Sequence, residues 1–148
     1  MSLSTQTPLA YLFAENEGVS VPVEKRLTAV PPEVVASSLE SPLLSGVLPT
    51  EVGRRVLVSQ DQCSQSSGST GTLFVYGTAG KGWGSLGNQR LTIKPGELLV
   101  IPSGTPYAYG ADEENPWGIY WVNVRGTLIG EYLKALRINI ERPVLNLG

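Results

Sequence analysis

The chain has 148 residues, with no histidine, one cysteine, 17 glycines, 11 prolines and a formal net charge of −2. That length suits one domain with a real core, and the glycine and proline content favours short elements and many turns over a helix bundle. Without histidine, the usual neutral-pH acid/base, the Ser-His-Asp and Cys-His pairs and every histidine-based metal site are excluded.

The acidic balance gives no overall attraction to nucleic acid or an anionic membrane. No apolar run reaches the roughly 18–20 residues a membrane span needs, and the start lacks the basic and apolar segments of a signal peptide. Cys63 has no intrachain partner and fits a reducing cytoplasm.

In chain order, residues 1–8 are polar and are expected to be a frayed or expression-derived start. Val19, Val21 and Val23 alternate as in a short strand, and Pro31-Pro32 precedes one short helical segment over 33–39. Arg54 to Val58 reads as a strand with a polar continuation to Cys63. Residues 64–72, rich in Ser, Gly and Thr, read as a flexible loop.

From Thr72 the punctuation becomes regular. A β-rich run to Gly77 is followed by a Gly80-Lys81-Gly82 turn. Trp83–Leu86 and Arg90–Ile93 flank Gly87-Asn88, a two-residue hairpin signal. Pro95-Gly96 turns the chain into the apolar run 97–101, and Pro102-Ser-Gly104 turns it again before Tyr107 and Tyr109. After an acidic loop, Trp117 to Arg125 is aromatic and β-branched. Strands recurring every eight to twelve residues predict an antiparallel sandwich or barrel. Leu128, Ile129, Tyr132, Leu133 and Leu136 then form one stripe of an amphipathic helix.

The segment Gly96-Glu-Leu-Leu-Val-Ile-Pro102-Ser-Gly104-Thr-Pro-Tyr107 resembles the second motif of the cupin barrels, with Tyr107 in place of the metal-binding histidine. The run from Tyr107 through Tyr109-Gly-Ala-Asp and Pro116-Trp-Gly-Ile-Tyr-Trp-Val-Asn-Val-Arg-Gly126 resembles the ligand-binding and dimerisation domain of AraC-type bacterial transcription regulators. Val75-Tyr76, Gly80-Lys81-Gly82-Trp83 and Lys94-Pro95-Gly96-Glu97-Leu98 fit the same pattern.

The resemblance implies a mainly β, cupin-like double-stranded β-helix over 9–126. It implies that 127–148 begins a helical dimerisation segment, with the DNA-binding helix-turn-helix part outside this sequence. The expected protein is a cytoplasmic effector-sensing homodimer rather than an enzyme, with a small molecule, a sugar above all, as its ligand. DNA would be a partner only through that other part, and a membrane would not be one. Tyr107 and Asn123 stand where the family often has histidine, so neither metal nor cofactor is expected.

Strand alternation places Tyr107 and Tyr109 on one face, and Trp117, Ile119, Trp121 and Asn123 on one face of the next strand. By position in the family, Trp121 is the stacking platform for a sugar and Tyr109 a hydroxyl-binding neighbour. Tyr107 and Asn123 supply further polar contacts, with Ile119 beside them and Asp61 as the associated carboxylate. Plain core packing accounts equally well for Trp121 and better for Trp117. Two other readings stay open: a metal-free cupin isomerase or epimerase acting on a small sugar-like molecule, and a dimerisation barrel with no ligand.

Overall fold

The computed structural model describes residues 26–148, so residues 1–8 and the expected strand at Val19–Val23 lie outside the described residues. Strand β1 (Arg26–Ala29) leads into helix α1 (Pro32–Leu39), then β2 (Leu48–Leu57), β3 (Gln62–Gln65) and β4 (Thr72–Gly80). A hairpin follows of β5 (Gly82–Leu86) and β6 (Gln89–Ile93), then β7 (Glu97–Ile101), β8 (Tyr107–Ala111) and β9 (Trp117–Arg125). Helix α2 (Ile129–Ala135) and strand β10 (Val144–Asn146) complete the described chain.

These strands form two antiparallel sheets, one ordered β1-β2-β9-β4-β7-β10 and the other β3-β8-β5-β6. From β2 to β9 the chain passes back and forth between the sheets, apart from the β5–β6 hairpin, as in the cupin-like double-stranded β-helix the resemblance implied. Inward-facing side chains of both sheets meet in one core. Leu57, Val75, Leu86, Ile93, Leu99, Ile101 and Trp117 are fully enclosed there. Gly82 makes room for the Trp117 indole, because a Cβ on Gly82 would collide with that ring. The hairpin signal is realised as expected, with Leu86 paired to Gln89 and Gly87 at φ 58°.

Three expectations are corrected. Strand β2 begins at Leu48, six residues before the expected start, and pairs with β9 across a register shift at Pro49/Glu51. The expected loop 64–72 begins as strand, since Ser64 and Gln65 pair with Ala108 and Tyr107. Its remainder is tethered: Ser103 Oγ donates to the Thr70 carbonyl at 2.6 Å, and the Gly104 N–H donates to the Ser69 carbonyl at 2.9 Å. The third concerns 127–148. Only Ile129–Ala135 is α-helical there, and Val144–Asn146 return to the larger sheet beside β7.

The helical stripe is also divided. Ile129 and Leu133 pack with Ile138 on Val100 and Val124 of the outer sheet face, whereas Leu128, Tyr132 and Leu136 stay exposed.

Candidate functional site

The larger sheet sets the site by register. Glu51, Gly53 and Arg55 of β2 stand opposite Asn123, Trp121 and Ile119 of β9. The period of two sends all six toward the other sheet. Gly53 is needed here, because a Cβ would lie only 2.5 Å from Cζ2 of Trp121. From the smaller sheet, Cys63 and Gln65 of β3 face Tyr109 and Tyr107 of β8 in register.

Between these strands lies a cavity of about 450 Å³, lined among others by Glu51, Arg55, Gln65, Tyr107, Tyr109 and Trp121. That volume falls within the range of small-molecule sites. Five of the six residues expected from sequence line it: Tyr107, Tyr109, Ile119, Trp121 and Asn123. Asp61 does not. It sits in the β2–β3 turn, where Oδ2 accepts the Val58 N–H at 2.9 Å and Oδ1 lies 3.3 Å from Nη2 of Arg55. Its side chain therefore closes the turn and orients Arg55, which does line the cavity. Sequence reasoning missed Glu51, Arg55, Gln62, Cys63, Ser64, Gln65 and Leu73. Inward alternation along β2, with its start set at Leu48, is the one signal that would have found the two charged residues.

The aromatic residues form a graded wall. Tyr107 stacks on Tyr109 with ring centroids 5.8 Å apart, and Tyr109 meets Trp117 edge-on at 6.1 Å. Tyr109 and Trp121 are nearly buried, at 5% and 8% exposure, so they belong to the core and the cavity wall at once. Burial raises the Tyr107 phenol above its ordinary value of 10.0, with Cys63 and Glu51 adding to the rise. Burial lifts Tyr109 further, again with Cys63 contributing. Both phenols are thus neutral hydrogen-bond donors at physiological pH.

The polar groups of the wall include Arg55, paired from behind with Asp61 of the turn, and the carboxylate of Glu51. The Oδ1 of Asn123 is buried without a hydrogen-bond partner and lies against Gly71. An unpaired buried acceptor costs about 1–3 kcal/mol and is commonly retained for a role. Among the described residues, no three of His, Cys, Asp and Glu converge as a metal site. The arrangement is thus a cavity in which aromatic rings from both sheets stand among amide, carboxylate and guanidinium groups.

A family model described as the AraC-like ligand binding domain matches residues 68–146. The chain belongs to that family. This AraC-like domain is 38% identical over 48 residues to the raffinose operon transcriptional regulatory protein of Pediococcus pentosaceus, covering 32% of this chain and 17% of that one. It is 24% identical over 115 residues to the MmsAB operon regulatory protein of Pseudomonas aeruginosa, covering 72% of this chain and 36% of that one. The chain therefore spans well under two thirds of the length of these curated relatives.

Among solved structures, the domain superposes on the protein YhaK of Escherichia coli with a TM-score of 0.57 at 10% identity, covering 82% of this chain and 49% of that one. A cupin-like protein of Thermotoga maritima gives a TM-score of 0.49 at 15% identity, covering 75% of this chain and 84% of that one. At 10% identity, the likeness to YhaK concerns the fold alone.

Proposed function

We propose that this domain senses a carbohydrate effector for an AraC-type transcription regulator. In this reading its homodimer carries DNA-binding segments that lie outside the present sequence. The observation that carries the reading is a cavity lined by aromatic rings and polar groups together. Tyr107 and Tyr109 of the smaller sheet look across about 450 Å³ onto Trp121, Glu51, Arg55 and Asn123 of the larger sheet. Aromatic faces suit the C–H surface of a sugar ring, and phenol, amide and carboxylate groups suit its hydroxyls.

Both relatives are operon regulatory proteins, one of them of a raffinose operon, which supports the same class. Regulation then works by linkage. A sugar that binds one arrangement of the regulator better than another shifts the population, and with it DNA affinity. The Tyr phenols, held neutral, are available as hydrogen-bond donors to sugar hydroxyls.

Thermal unfolding against a panel of neutral mono-, di- and trisaccharides tests this. At about 100 times its Kd, a specific sugar should stabilise the domain by roughly 2.7 kcal/mol. A panel with no shift at millimolar sugar would contradict the sensor reading.

A further inference from the structure

A second hollow of about 320 Å³ opens beyond the first, between β1, α1, β2, β9 and the 70–71 loop. Pro32 and Val35 give it an apolar wall, and Thr70 and Arg125 give it polar groups. Glu51 and Asn123 line both hollows. These two are direct register partners across β2 and β9, so their side chains stand next to each other on the inward face. The hollows therefore abut at one polar pair, a carboxylate and an amide. At roughly 30 Å³ per water, the second hollow has room for about ten water-sized groups, on the order of one pyranose ring with its hydroxyls.

We infer that the two hollows are successive subsites of one elongated site, and that its ligand is an oligosaccharide of at least two rings. This rests on the carbohydrate reading above. One ring lies against Tyr107, Tyr109 and Trp121. The next lies against Pro32 and Val35, with Arg125 and the Thr70 hydroxyl as hydrogen-bonding groups. Glu51 and Asn123 bind hydroxyls near the glycosidic junction, where a carboxylate accepts from sugar O–H groups with the strength of a charged acceptor. A ligand filling only the first hollow would leave half of that polar pair's surroundings to water.

Isothermal titration of the wild-type chain with glucose, galactose, maltose, melibiose and raffinose tests the inference. At least one di- or trisaccharide should bind ten-fold or more tightly than each of its own monosaccharides. Thr70→Trp fills the second hollow from an exposed position outside the first, and should bring that oligosaccharide down to the monosaccharide affinity. Arg125→Ala should weaken the oligosaccharide alone, and a circular-dichroism melt establishes that both variants fold. Equal affinity for oligosaccharide and monosaccharide, or an equal loss for both in Thr70→Trp, would overturn the inference and leave carbohydrate sensing standing. Absence of binding by any of the sugars would overturn both.

Discussion

The same strands run through both ends of this barrel, yet the two ends do different work. Toward one end, β2 and β9 place Leu57 opposite Trp117, both fully enclosed. Three steps along the same two strands, the inward pair is Glu51 and Asn123. The smaller sheet shows the same gradient, from buried Ala111 and Tyr109 to half-buried Tyr107. An inward-facing position therefore does not define core by itself. Position along the strand decides whether the side chain excludes water or meets a ligand.

The largest expected effect is at the dry end. Trp117→Ala should lose about 3–5 kcal/mol of stability, because it deletes the most enclosed aromatic side chain and leaves a cavity beneath Gly82. Urea unfolding measures it; a loss under 1 kcal/mol would remove the distinction between the ends. A middle-sized effect lies at the turn that serves the wet end. Asp61→Asn weakens both the acceptor for the Val58 N–H and the pair with Arg55, at a cost of about 1 kcal/mol. The same substitution should also lower sugar affinity, since Arg55 loses the partner that orients it. Unchanged affinity in Asp61→Asn would detach the turn from the site.

The smallest effect is a dependence on pH. Tyr107 and Tyr109 hold their protons more tightly in the fold than in the unfolded chain, whose phenols ionise near 10. Their contribution to stability is fully present below that value and is lost as pH rises through the folded-state values. Urea midpoints should thus show no phenol-dependent change from pH 7 to 9 and fall above about pH 10, less steeply in Tyr107→Phe. A tyrosine-dependent fall already between pH 7 and 9 would place ionised phenols in the native site.

Much of the smaller sheet and the centre of the larger one was legible in the sequence. Glycine and proline punctuate residues 77–104 at turn spacing, and the aromatic, β-branched run from Trp117 shows its two faces directly. That alternation placed Tyr107, Tyr109, Ile119, Trp121 and Asn123 together. The rest was hidden for physical reasons. Strand β3 reads Gln-Cys-Ser-Gln because all four residues border the cavity and three of them are exposed, so it carries no hydrophobic alternation. Pro49 and Gly53 in β2 read as breakers, although Pro49 lies at a register shift and Gly53 yields its space to Trp121. Strand β10 is three residues long and exists only through pairing with β7, far away in sequence. Asp61 was placed with the site by its neighbours in sequence, and the turn instead directs its carboxylate to a backbone N–H and to Arg55.

In this reading the polar end of the barrel is a carbohydrate site and not an incompletely packed core. Differential scanning calorimetry of the wild type and Asn123→Ala, each with and without the best-binding saccharide, tests it most directly. The predicted result is a melting temperature for Asn123→Ala close to the wild-type value without sugar, because the substitution removes an unpaired buried acceptor. With sugar, the wild type should gain several degrees and the variant little. A variant that melts far below the wild type yet keeps the full sugar-induced gain would contradict the claim.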